Sequence, residues 1–213
     1  MADAQLQKLF SQAYILGGSP CSGKSSIAEK LCAAHEFQYY KADDYDGEHF
    51  QRCQPEQQPV MFKYSRMSWN EIWSRSPAQL VADELACYRE RFPFILEDLS
   101  QLNAEKPVLL EGAAFLPELV NQFQLNAQLV DFMLPGKEFQ VQHYRQRPWI
   151  TQILNECQDP AQAFENWMER DALFAQEVIR QADVYGFSVI RVDGSIEITG
   201  QFEEIRARFG LDG

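Results

Sequence analysis

The sequence predicts an α/β fold organised on a parallel sheet. Three observations predict it. A glycine-containing loop, Gly18-Ser19-Pro20-Cys21-Ser22-Gly23-Lys24-Ser25, follows the apolar run Tyr14-Ile15-Leu16 and precedes a helix-spaced stretch from Ile27 to Ala34. Further short apolar runs recur along the chain, several of them ending in an acid. Stretches with helical spacing separate them, and strands alternating with helices point to parallel pairing.

In chain order, a short helix is expected over 3–11 and the first strand over 13–17. The loop and its helix run to residue 35. A second strand, 37–42, ends in Asp43-Asp44. The third, 107–111, begins with Pro107, tolerated at the first position of a strand, and ends in Glu111. The fourth spans 127–134 and the fifth 187–193. Helical patterns cover 78–102, 135–156, 160–185 and 199–209. Ser76-Pro77 supplies an N-cap and a first helical turn. The interval between strands two and three is too long for a plain connection. It holds the polar run Gln51 to Pro59 and an aromatic stretch from Phe62 to Trp73, and is expected to form a lobe over the substrate side. Right-handed crossovers would set the loop and the strand-end acids on the carboxyl edge of the sheet.

At 213 residues, with 46% hydrophobic and 13% aromatic content, the chain can fill one sizeable α/β core. No stretch approaches the roughly 18 continuous apolar residues of a membrane span, and the N-terminus lacks a signal-peptide layout. Five cysteines without a CxxC pair argue against a disulfide framework or a zinc site, so a cytoplasmic protein with reduced thiols is expected. The net charge of −12, with no block of Lys or Arg, disfavours long nucleic acid as a partner.

The loop fits the phosphate-binding pattern G-x-x-x-x-G-K-[ST]. Its glycines allow backbone N–H groups to turn inward, and the following helix N-terminus adds positive partial charge. Gly18, Ser19, Pro20, Cys21, Ser22, Gly23, Lys24, Ser25 and Ser26 are therefore expected around the phosphates of a nucleotide. Lys24 would reach the β- and γ-phosphates, and the Ser25 hydroxyl would ligate Mg²⁺.

Asp43 is a candidate to accept or orient the proton of an attacking hydroxyl, and is preferred to Asp44 because it follows the apolar run directly. Glu111 is the preferred second metal residue, with Asp131 as competitor. Positive charge around a transferring group would come from Arg147 and Arg170, ranked above Arg145. Asp193, in Val192-Asp193-Gly194-Ser195, either lies beside a base pocket or belongs to a plain strand-to-helix turn. His143 reads as a helix-surface residue. Cys21, near a helix N-terminus, is either a more acidic and oxidisable thiol or a small residue that merely fits. Tyr64, Trp69 and Trp73 read as core, or as a surface that stacks on an organic substrate.

With these residues assembled, the chain resembles the P-loop small-molecule kinases of the nucleoside-monophosphate-kinase-like group. Shikimate, gluconate and adenylylsulfate kinases and chloramphenicol phosphotransferase belong to it. The resemblance implies a three-layer α/β/α P-loop NTPase fold with a five-stranded sheet in order 2-3-1-4-5. It also implies an ATP·Mg²⁺ donor and a mobile lid, placed at 135–160; the long interval is read as a helical insert at 45–105, within one domain over 1–213. Carried over, Lys24 and Ser25 are the phosphate and metal residues, Asp43 is the acceptor-side carboxylate, and Arg147 and Arg170 fall in the lid region. The glycine-rich lid motif of adenylate kinase is absent, and the segment after Asp44 matches no acceptor pocket of the group. The expected activity is transfer of the γ-phosphoryl of Mg-ATP to a hydroxylated or phosphorylated small molecule. The alternative is a nucleotide-binding switch or NTPase acting through a protein partner, although no N-K-x-D base motif is found. Oligomeric state is not legible in the sequence.

Overall fold

A computed structural model describes residues 2–123 and 125–211. Strand β1 (Ala13–Gly18) lies at the centre of the sheet. It pairs in parallel with β3 (Val108–Glu111) on one side and β4 (Val130–Pro135) on the other. β2 (Gln38–Lys41) lies outside β3, and β5 (Ser188–Val192) outside β4. The five-stranded order is β2-β3-β1-β4-β5, all parallel, as the resemblance implied.

Helices cover both faces. On one, α2 (Lys24–Ala34) and α11 (Ile198–Arg208) bring Ile27, Leu31 and Ile205 against Leu16, Leu109 and Met133. On the other, α1 (Ala2–Phe10), α6 (Pro77–Leu99) and α10 (Pro160–Tyr185) bring Phe10, Ile95, Phe174 and Val178 against Ile15, Leu110 and Phe132. Each such fully buried side chain contributes about 1.5–3 kcal/mol. Every residue of β3 and β4 is buried, which is why those segments read as continuous apolar runs rather than alternating ones. Asp131 is the polar exception within β4. Arg208 of α11 donates to both of its carboxylate oxygens, at 2.7 Å to Oδ1 and 3.1 Å to Oδ2.

Between β2 and β3 the chain makes a 3₁₀ turn (Ala42–Tyr45), then α3 (Asp46–Arg52), α4 (Pro59–Tyr64), α5 (Trp69–Trp73) and α6. A capping box fixes the start of α5, with Ser68 and Glu71 each binding the other's backbone N–H. This helical group leans on α10 through a stacked pair, Trp73 on Trp167, with ring centroids 3.9 Å apart. α7 (Pro117–Val120) follows β3. No helix of the described residues is long and apolar enough to cross a membrane.

Several boundaries differ from expectation for local reasons. The single helical pattern at 135–156 is two helices, α8 (Lys137–Arg145) and α9 (Pro148–Asn155). Pro148 disfavours a helical residue before it, and Arg147 is extended at φ −90°, ψ 114°. Strand four starts at Val130 because Asn126 Oδ1 accepts from Gln128 N at 3.1 Å and closes a 3₁₀ turn first. Strand two ends at Lys41, and the next carbonyl, that of Ala42, accepts from the Arg91 guanidinium. α6 begins at Pro77 after the expected Ser76 cap and stops at Leu99 rather than 102. The remaining elements differ only at their ends.

Gly18 closes β1 at φ +110°, a region L side chains rarely adopt, and a Cβ there would lie 2.2 Å from the Met133 carbonyl oxygen. Gly18→Ala is therefore expected to destabilise the chain by about 3 kcal/mol or more. Urea denaturation with an unchanged midpoint would contradict this packing.

Candidate active site

The loop after β1 is held by its own chain. Ser19 N donates to Met133 O at 3.1 Å, and Ser22 Oγ donates back to Ser19 O at 2.9 Å. Gly18, Cys21 and Gly23 all have positive φ, and Cys21 is the only non-glycine among the described residues to do so. Alternation of left- and right-handed conformations turns successive N–H groups to one side and makes a concavity for an anion. Gly23 caps α2 without a side-chain hydrogen bond, so the first-turn N–H groups of α2 keep their capacity for an anion.

Lys24 is only 6% exposed. Its ammonium donates to Ser19 O at 2.7 Å and to Ser22 Oγ at 3.4 Å. Burial pushes its pKa down, while the nearby carboxylates of Glu111 and Asp43 push it up. Glu111 ends β3 level with Leu16 of β1 and Lys41 of β2. Its Oε2 accepts from the Ser25 hydroxyl and the Tyr39 hydroxyl, each at 3.2 Å. Burial raises the Glu111 pKa, Lys24 lowers it and Asp43 raises it further.

A cavity of about 200 Å³ opens among these groups, lined by residues Pro20 to Ser26 of the loop with Asp43, Glu111, Ala113 and Arg147. The fold thus brings together sequence-selected residues from four separate segments. Asp43 reaches it from the 3₁₀ turn after β2, beside Gly112. Asp44 does not line it and lies 3.9 Å from Lys41 on the surface. Arg147 reaches it from the break between α8 and α9, with its guanidinium over the rings of Tyr144 and Trp149.

Other selected residues lie elsewhere. Arg170 is on α10, outside 135–160, and is half-buried, paired with Glu84 (2.5 Å) and Asp171 (2.7 Å). Asp193 is in the turn after β5, where its Oδ1 accepts from Ser195 N at 2.9 Å and this bonding lowers its pKa. Asp131 is engaged by Arg208. Arg145 is exposed, with its guanidinium over Phe164, and His143 is half-buried, its Nδ1 2.8 Å from Phe139 O. Of the two readings of Cys21, its surroundings favour the small residue that fits over the acidic thiol: burial pushes its pKa up, and Arg147 and Lys24 only partly oppose this.

A second cavity, of about 310 Å³, escaped the sequence reading as a unit. Tyr64, Trp69 and Trp73 do line it, together with Asp46, Glu84, Tyr88, Arg91 and Arg170. The available signal was Glu84, Tyr88 and Arg91 at helical spacing on the inward face of α6. Gln140 links the two regions, donating to Pro20 O of the loop at 3.4 Å and to Asp171 Oδ2 at 2.9 Å.

Among the described residues there is no cluster of three or more His, Cys, Asp and Glu able to hold a metal by themselves. Ser25 and Glu111 suit instead a Mg²⁺ that keeps waters and shares phosphate oxygens, since Mg²⁺ is commonly bound through one or two carboxylates plus a substrate.

No protein-family model matches the chain, and no curated protein matches it. Among solved structures it is similar to a protein of Chloroflexus aurantiacus J-10-fl provisionally described as a kinase, at 11% identity and a TM-score of 0.44, over 92% of this chain and 97% of that one.

Because burial raises the Cys21 pKa, its thiolate is scarce at neutral pH and appears only as pH rises above the ordinary thiol range. Alkylation of Cys21 by iodoacetamide, followed by peptide mass spectrometry, is expected to be slow at pH 7 and still accelerating at pH 9. A rate that levels off below pH 8 would contradict the burial argument.

Proposed function

We propose that the chain is an ATP-dependent phosphotransferase of the P-loop type, which moves the γ-phosphoryl of Mg-ATP to a hydroxyl of a small molecule. The observation that carries this reading is the convergence of the loop, Lys24, Ser25, Glu111, Asp43 and Arg147 on one cavity. In this reading the loop N–H groups and the Lys24 ammonium bind the β- and γ-phosphates. Ser25 and Glu111 would hold the metal. Mg²⁺, when bound, neutralises charge on the phosphate oxygens. Asp43 orients the acceptor hydroxyl and takes its proton as that oxygen forms a bond to the γ-phosphorus. The bond to the β–γ bridging oxygen breaks, and ADP leaves with the electron pair. Arg147 offsets the charge that spreads over the equatorial oxygens in the loose transition state.

The helices over 45–105 form the substrate-side lobe in this reading, and 135–160 is the lid, because its break delivers Arg147. The second cavity favours a kinase over a switch or NTPase working through a protein partner, which needs no acceptor pocket. Five free cysteines suit a reducing cytoplasm. Asp193 and the turn after β5 would lie toward the base, since Ile198 at the start of α11 approaches Gly23. Arg170 acts from the acceptor side rather than as a lid residue.

Lys24→Ala is expected to abolish ATP turnover, measured as ADP release; wild-type turnover in that variant would sink the mechanism. Asp43→Asn should lower kcat by about 100-fold or more while changing ATP affinity little. A loss confined to ATP affinity would move Asp43 out of the acceptor site.

A further inference from the structure

We propose that the cavity bounded by α5, α6 and α10 takes the acceptor, and that the acceptor is an uncharged or cationic alcohol on a planar aromatic or heteroaromatic body. This rests on the phosphotransferase reading and narrows it: phosphorylated and carboxylated acceptors are rejected.

Charge in the cavity decides against an anion. It has two guanidiniums in its wall, and each is already ion-paired with carboxylates of the protein. Arg91 is 3% exposed and binds the Asp46 carboxylate, His49 Nδ1 (2.9 Å) and the Ala42 carbonyl. Arg170 binds Glu84 Oε1 at 2.5 Å and Asp171 Oδ1 at 2.7 Å. Three carboxylates thus stand against two guanidiniums. An anionic acceptor would have to displace one of these carboxylates from its arginine, and breaking a buried pair is costly.

The walls favour a flat apolar body. Trp69 lines this cavity, is 39% exposed overall and makes no ring–ring or cation–ring contact among the described residues, while Trp73 is covered by Trp167 and by the Arg170 guanidinium. Trp69 therefore offers a free ring face for stacking. Glu84 supplies the polar anchor. Its Oε1 serves Arg170 and the Tyr88 hydroxyl (3.2 Å), whereas Oε2 is buried without a hydrogen-bond partner. A buried oxygen left unpaired is unfavourable, and a hydroxyl or amine hydrogen on the acceptor would satisfy it. Asp46 lines this cavity and Asp43 lines the phosphate cavity, one turn apart on the same segment. An acceptor held here is thereby adjacent to the carboxylate assigned to its hydroxyl proton. The products are the phosphate ester of that alcohol and ADP, with the hydroxyl proton passing to Asp43.

The test uses matched pairs that differ by an anionic group: pyridoxine and its 5′-phosphate, uridine and its 5′-monophosphate, 4-hydroxybenzyl alcohol and 4-hydroxybenzoate. Calorimetric titration is run on wild type, Lys24→Ala and Trp69→Ala, with ADP release from Mg-ATP measured alongside. At least one neutral member should bind about tenfold or more tightly than its anionic partner. That binding should survive in Lys24→Ala and weaken about tenfold in Trp69→Ala. Tighter binding of the anionic members, no binding by any neutral one, or neutral binding indifferent to Trp69→Ala overturns the inference. ADP release stimulated only by anionic members overturns it while the phosphotransferase reading stands. Neutral binding with no ADP release overturns the phosphotransferase reading instead.

Discussion

The buried ammonium of Lys24 is the constraint on which the site depends. An unpaired ammonium at 6% exposure is expensive, so its charge must be met by fixed groups. The Ser19 carbonyl meets part of it, but that bond exists only because the loop folds back on itself through Ser22 and rests on Met133. The rest comes from the fields of Glu111, at the end of β3, and Asp43, in the turn after β2. Parallel register makes this possible, because Glu111 stands level with both Leu16 and Lys41. Burial drives Lys24 and Glu111 each toward its neutral form, and each opposes the shift in the other. A change to the register of β1, β2 and β3 would therefore disturb the charge balance as well as the packing.

The loop cavity and the aromatic cavity divide the polar groups unequally. The first gathers backbone donors, an ammonium and a guanidinium with two carboxylates, a set suited to anionic ligand oxygens and a cation. The second is mostly ring and aliphatic surface, and its guanidiniums are ion-paired within the protein. Gln140 joins them by hydrogen bonds to the Pro20 carbonyl and to Asp171, which is ion-paired with Arg170. The loop and the wall of the aromatic cavity are thus mechanically connected.

Much of this was legible in the chain because the signals were local. The loop spacing, the apolar run ending in Glu111 and the Ser76-Pro77 cap each depend on a few consecutive residues, and the structure reproduces the elements they predict. The break at Arg147 was also local, since Pro148 restricts the residue before it, but the helical spacing on both sides masked it. The Arg170–Glu84–Asp171 group was not legible as a unit, because it joins α6 to α10 across a long separation in sequence. Cys21 shows the opposite difficulty. Its position near a helix N-terminus suggested an acidic thiol, but packing against residues distant in sequence governs its environment.

The most direct test of the central claim is a crystal structure with Mg²⁺ and a non-hydrolysable ATP analogue. The account predicts the β- and γ-phosphates in the concavity of residues 18–25, with Lys24 turned from the Ser19 carbonyl onto phosphate oxygen and the metal on Ser25 Oγ. It also predicts the γ-phosphate facing Asp43. A nucleotide bound elsewhere, with Lys24 still on Ser19, would contradict it.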